Sequence, residues 1–126
     1  MKILIADSLP DAALEVLKAK SDWQVVNLPK TKGQVAEEIR DADALIVRSA
    51  TKVTPELLEK ATRLVVIGRA GVGVDNVDLD AATRKGILVM NTPGGNAISV
   101  AEHTTALLLA LAHPVEIGRA SCRERV

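Results

Sequence analysis

The chain has 126 residues, 48 % of them apolar and 25 % charged, enough to build the core of one ordinary globular domain and unlike a disordered segment. Its 16 basic and 16 acidic side chains cancel, and Trp23 is the lone aromatic residue, so neither charge nor stacking argues for nucleic acid or an anionic membrane as partner. No apolar run approaches a bilayer span, and MKILIAD meets an acid at Asp7 too soon for a secretion signal.

In chain order, residues 2–6 read as a buried strand closed by Asp7 and Ser8. Ser8 is placed to cap a helix through about Lys18, with Leu14 and Leu17 on its inner face. A second strand is expected over 23–27. Thr31 with Gln34 has the spacing of a capping box for a helix to about Arg40, with Val35 and Ile39 inward. Residues 44–47 form a third strand, followed by Arg48-Ser49-Ala50-Thr51, and Thr54-Pro55 opens the next helix with proline at its favoured first position. The fourth strand, 64–67, is apolar throughout, as in strands buried on both faces. It runs into a turn containing Gly68, Gly71 and Gly73. Asp78 can cap a short helix stopped at Gly86, residues 87–90 make a fifth strand, and Asn96 can cap a last helix over 97–112.

Strands alternating with helices through short links predict βαβ units and a parallel sheet with helices on both faces. The fold class is therefore α/β, a doubly wound, flavodoxin-like sheet. The last helix carries Leu107, Leu108, Leu109 and Leu111, is apolar nearly all round, and needs covering that little of this chain can supply. Residues 113–126 show no usable period, resemble translated vector sequence, and hold the single Cys122, which cannot form an internal disulfide. A reducing cytoplasm is the expected compartment, and the chain is expected to be the beginning of a longer protein.

The chemistry is sought at the carboxyl edge of the sheet, where open α/β folds bind ligands. The glycine turn puts bare backbone N–H groups there, and glycine allows positive φ or close approach of a ligand. As a dinucleotide fingerprint it fails: GVGVDN has Asn76 where the third glycine belongs. The loop after the third strand adds the forked guanidinium of Arg48 and the hydroxyls of Ser49 and Thr51, a set suited to carboxylate or phosphate. Two readings of that loop stand: an anion cradle, or an arginine paired with a nearby acid beside hydroxyls that cap the loop. Arg69 has the same ambiguity and is expected to brace Asp75 or Asp78. Glu102 and His103 are sequence neighbours that point in different directions on a helix, and two histidines with one cysteine make no metal site.

The opening MKILIADSL, residues 47–61 (VRSATKVTPELLEKA) and residues 65–112 closely resemble the N-terminal part of the D-3-phosphoglycerate dehydrogenases, within the D-isomer-specific 2-hydroxyacid dehydrogenases. The resemblance implies a flavodoxin-like substrate domain over 1–95 and a crossover helix, 96–112, leading toward a Rossmann NAD domain beyond this chain. It implies NAD-dependent oxidation of 3-phosphoglycerate to 3-phosphohydroxypyruvate, a step of serine synthesis, by a protein expected to be a homo-oligomer. Arg48, Ser49 and Thr51 match the loop facing the substrate's anionic groups, and Gly71, Val72 and Gly73 match the turn that meets the substrate carboxylate and the nicotinamide end of NAD. Asn76 and Asn96 match positions lining the same cleft. On that basis Arg48, Ser49, Thr51, Gly71, Gly73 and Asn96 are the expected substrate contacts, and Val72 and Asn76 the expected cofactor contacts. The family's histidine base, its orienting glutamate, its carboxylate-holding arginine and its NAD fingerprint fall after this chain's end, and neither His103 nor His113 replaces the base. The chain alone is expected to be inactive. Sister enzymes acting on glycerate, lactate or formate are the nearest alternative. A receiver domain lacks its paired acids here, and a non-catalytic interaction module is the third reading.

Overall fold

The computed structural model describes residues 1–31 and 34–112, so the vector-like reading of 113–126 lies outside the described residues. Five strands, β1 (Lys2–Ile5), β2 (Gln24–Asn27), β3 (Ala44–Val47), β4 (Val66–Arg69) and β5 (Leu88–Asn91), pair in parallel in the order β2-β1-β3-β4-β5. This is the expected doubly wound, flavodoxin-like order. The helices are α1 (Asp11–Lys18), α2 (Leu28–Thr31), α3 (Val35–Glu38), α4 (Pro55–Lys60), α5 (Leu79–Arg84) and α6 (Ala97–Ala112), with a 3₁₀ turn at Ile39–Asp41. The chain divides into two compact units, Met1–Pro93 and Gly94–Val126.

Side chains alternate across a strand, and the register places Val26, Leu4, Leu45, Ile67 and Val89 in one row. Leu4, Leu45 and Ile67 are fully buried and pack with Ile39, Val53, Leu58, Val77, Ala82 and Ile87 in the main core. Ile3 and Ile5 point the other way. Right-handed crossovers that run outward in opposite directions from β1 and β3 put α1, with its buried Leu14, on that second face.

Local signals set several boundaries. Thr54 caps α4, its Oγ1 accepting from the Leu57 N–H at 3.4 Å, with Pro55 first in the helix. Asp78 caps α5 through the Ala81 N–H at 2.8 Å, and Gly86 ends it at φ +69°. Others needed correction. Pro10, not Ser8, precedes α1, and no side chain caps that helix; the Pro10 carbonyl takes the N–H groups of Ala13 and Leu14. Thr31 ends a helical turn begun straight after β2, because Leu28 is anchored in the core, and α3 starts only after Gln34. The fourth strand lies two residues later than expected and is not buried on both faces: within it only Ile67 is fully buried, and Val65, just before it, is 58 % exposed.

In the second unit Gly94 takes φ +74°, the Ala97 N–H donates to its carbonyl, and the Val100 N–H donates to the Asn96 carbonyl, so Asn96 supports α6 through its backbone. Leu107, Leu108, Leu109 and Leu111 are all exposed. No helix among the described residues is long and apolar enough to cross a membrane.

Candidate functional site

Parallel pairing fixes where the two candidate loops emerge. Val47 lies opposite Arg69, and the Ala70 N–H donates to the Val47 carbonyl at 2.8 Å. The loop starting at Arg48 and the turn at Gly71 therefore leave the sheet side by side on one rim. Farther out they are stitched again by a parallel bridge between Val53 and Val77, with the Val53 N–H on the Asn76 carbonyl at 2.8 Å and the Asp78 N–H on the Val53 carbonyl at 3.0 Å. An open depression of about 400 Å³ lies against this stitch, lined by residues 52–55 and 75–78, beside the cradle rather than within it.

The third element of the rim is one that the sequence reading treated only as a strand end. Asp7, 9 % exposed, is the one buried charged side chain among the described residues. Its Oδ2 accepts from the Arg48 N–H at 2.6 Å and the Thr51 N–H at 3.2 Å, and its Oδ1 accepts from the Thr51 hydroxyl at 2.6 Å. Burial alone would raise the Asp7 pKa, but the Thr51 hydroxyl, the two backbone donors and the nearby Arg48 charge together hold it below the ordinary aspartate value. The signal that could have found it is an acid ending a buried strand, where a charge needs donors. Arg48 is exposed, its Nη1 donates to the Ser8 carbonyl at 3.2 Å, and it joins no ion pair among the described residues. Ser49 is exposed beside it.

Asn76 grips the same loop from the other side. Its Nδ2 donates to the carbonyls of Arg48 and Thr51, both at 2.6 Å, and its Oδ1 accepts from Arg69 Nε at 3.4 Å. Arg69 thus braces Asn76 rather than Asp75 or Asp78, because the turn brings the amide under its guanidinium. Of the two uses expected for the turn's glycines, positive φ is absent here. Neither Gly71 nor Gly73 has positive φ. A Cβ on Gly71 would lie 2.8 Å from Arg69 Cζ, and one on Gly73 would lie 2.8 Å from Asp75 Oδ1. In both cases the atoms met are the ends of flexible side chains that can swing aside, so neither position requires glycine for space alone.

The turn's carbonyls are occupied: Gly71 O accepts from the Thr92 N–H at 2.9 Å, and Val72 O from Asn91 Nδ2 at 2.7 Å. The N–H groups of Val72 and Gly73 have no protein partner among the described residues, and both residues are exposed. Donors left outward in succession suit an anion or a carbonyl oxygen. Asn96 lies in the second unit, as do the exposed Glu102 and His103. Among the described residues no cluster of three metal-ligating side chains occurs.

Comparison with known proteins identifies the family of this fold. Residues 3–123 match the catalytic domain of the D-isomer specific 2-hydroxyacid dehydrogenases. A D-3-phosphoglycerate dehydrogenase of Methanocaldococcus jannaschii is 49 % identical over 98 % of this chain and 23 % of its own length. Among solved structures, a 2-hydroxyacid dehydrogenase from Ketogulonicigenium vulgare superposes with TM-score 0.80 at 28 % identity, covering 98 % of this chain and 39 % of that one. An NAD⁺-bound 3-phosphoglycerate dehydrogenase from Entamoeba histolytica gives TM-score 0.73 at 33 % identity over 87 % of this chain and 38 % of its own. The chain spans less than a quarter of the length of the first of these relatives. With the parallel sheet, the two-loop rim and a match running nearly end to end, the chain belongs to the D-isomer specific 2-hydroxyacid dehydrogenases.

Proposed function

We propose that this chain is the substrate-binding part of an NAD-dependent D-3-phosphoglycerate dehydrogenase that oxidises 3-phosphoglycerate to 3-phosphohydroxypyruvate on the way to serine. The observation that carries the reading is the juxtaposition on one rim of an exposed Arg48, in no ion pair among the described residues, and the outward N–H groups of Val72 and Gly73. A forked cation with Ser49 beside it suits one anionic end of such a substrate, and backbone donors suit the other. Relatives named for this activity, at 40–49 % identity, support the same choice of substrate.

In this reading residues 1–95 bind substrate, and 96–112 lead toward the NAD-binding part. Arg48, Ser49, Gly71 and Gly73 are proposed to form the substrate side, with Asn96 proposed as a further contact, whereas Thr51, whose N–H and hydroxyl are given to Asp7, shapes the loop instead of touching substrate. The Val72 N–H is proposed to lie where substrate and the cofactor's polar end meet, with the Gly73 N–H on the substrate side, while Asn76, whose amide is committed to two carbonyls, walls the cleft. The cofactor, when bound, supplies the acceptor for the hydride leaving the substrate's C2. Homo-oligomeric assembly in the cytoplasm is proposed with it.

Steady-state kinetics of the full-length protein across 3-phosphoglycerate, glycerate, lactate and formate test the proposal. The expected result is the highest kcat/KM for 3-phosphoglycerate and an Arg48→Gln variant that loses about tenfold or more of it. Equal kcat/KM for glycerate and 3-phosphoglycerate would instead assign a sister activity. The 126-residue chain alone is expected to give no NAD reduction, and turnover by it would refute the division of labour.

A further inference from the structure

We propose that Asp7 is a positioning residue for substrate recognition, an internal anion that holds the Arg48–Thr51 loop in the shape that presents Arg48; this rests on the reading of that loop as the substrate's anionic contact. In a sheet of order β2-β1-β3-β4-β5 the topological switch lies between β1 and β3, and the crevice outside their carboxyl ends is where such folds ordinarily seat a ligand. Asp7 follows β1 and the loop follows β3. The chain fills that crevice itself: all three donors on the Asp7 carboxylate, the Arg48 and Thr51 N–H groups and the Thr51 hydroxyl, come from the loop, 41 to 44 residues away.

The consequence is a division of labour within four residues. The loop's inward N–H groups are held by Asp7 and its carbonyls at Arg48 and Thr51 by Asn76. With both rows of backbone groups fixed, the Arg48 backbone has little freedom, while its guanidinium forms no ion pair with the buried carboxylate. The carboxylate's hydrogen bonds all come from neutral donors, so it orders the loop while the Arg48 charge, near enough to favour it, is not tied up in an ion pair with it. Thr51 then acts toward Asp7, and the outward groups are Arg48 and Ser49.

The test is a double-mutant cycle in the full-length protein, assayed with 3-phosphoglycerate and NAD. Asp7→Asn keeps the shape but cannot accept all three bonds. It is expected to raise KM for 3-phosphoglycerate about tenfold while KM for NAD and kcat stay within about twofold. Arg48→Gln is expected to raise the same KM by at least as much, and the double variant to be no worse than Arg48→Gln alone. If Asp7→Asn leaves KM unchanged where Arg48→Gln raises it, or if the two effects multiply, the positioning role is overturned. If Arg48→Gln itself leaves KM unchanged, the loop does not face the substrate, and the underlying reading fails instead. Should Asp7→Asn not fold, Thr51→Val and Thr51→Ser take its place. The valine is expected to raise KM only where Arg48 is present and the serine, which keeps the hydroxyl, to restore it; a valine effect undiminished in the Arg48→Gln background overturns the proposal.

Discussion

Replacing Asn76 probes the stitch between the two loops. Its amide makes two 2.6 Å bonds to the carbonyls of Arg48 and Thr51, the first solvent-exposed and the second partly buried. Asn76→Ala deletes both. Each neutral bond is worth about 1 kcal/mol, and the partly buried Thr51 carbonyl adds some cost for going without a donor, which gives about 2–3 kcal/mol in all. Asn76→Asp keeps the shape but turns a carboxylate oxygen toward the same two carbonyls, so it should cost more, about 3–4 kcal/mol at pH 7.5. The two variants separate further with pH. The two carbonyls, 2.6 Å away, disfavour the introduced carboxyl as an anion, while Arg69 Nε, 3.4 Å from the other oxygen, partly offsets them; with the closer contacts dominating, its folded pKa is raised. Its penalty is complete above that raised value and fades as pH falls toward the unfolded aspartate value near about 4, where a protonated oxygen can again donate one bond. Urea unfolding of wild type and both variants between pH 7.5 and pH 4, with unchanged m-values, measures this. An aspartate variant as stable as the alanine variant at pH 7.5, or both within about 0.5 kcal/mol of wild type, would show that the amide does not hold the loop.

Leu45→Ala, which empties a fully buried site on the central strand, should cost about 3–5 kcal/mol in the same urea assay, whereas Val65→Ala, at the exposed amino edge, should stay within about 0.5 kcal/mol. Gly86→Ala meets no atom within 4 Å, so its cost is the backbone conformation alone, about 1 kcal/mol, and Gly86→Asn should be milder. Asp7→Asn should cost about 2–4 kcal/mol at pH 7. Because the folded pKa of Asp7 is depressed, the stability its charge contributes is complete above the unfolded aspartate value and lost as pH falls through the lower folded value, so the gap to wild type should close in acid. A gap that widens below pH 4 would contradict the hydrogen bonding described.

What was legible in the sequence is what local chemistry decides. The Thr54-Pro55 start, the Asp78 cap and the Gly86 stop each depend on atoms within a few residues, and each stands where the residues put it. The alternation of apolar strands with helices carried the parallel, doubly wound sheet, because right-handed crossovers leave few other topologies. The misplaced starts of α1 and α3 have tertiary causes. Leu28 is drawn into the core directly after β2, so the chain turns helical there before any capping box can act, and Pro10 with its fixed φ precedes α1 while the Ser8 carbonyl accepts from Arg48.

At the site, the nearness of Arg48 to the glycine turn followed from the sheet being parallel, since all its strands carry their carboxyl ends to one rim. The assignment of polar groups to inner or outer duty did not follow, because it depends on partners far away in sequence. Asp7 meets donors 41 and 44 residues on, and Asn76 meets carbonyls 28 and 25 residues back. A motif marks Thr51 and Asn76 as members of the cleft without saying which way their polar atoms are used. The physical rule that sorts them is the need to satisfy buried polar groups: a carboxylate at the end of a buried strand must recruit donors, and a loop bent over it must find donors for its own carbonyls. Once those demands are met, the groups left on this rim, among the described residues, are the Arg48 guanidinium, bonded only to the Ser8 carbonyl and in no ion pair, the Ser49 hydroxyl beside it, and the Val72 and Gly73 N–H groups. Those remaining donors are the ones that the proposed substrate, with an anionic group at each end, would use.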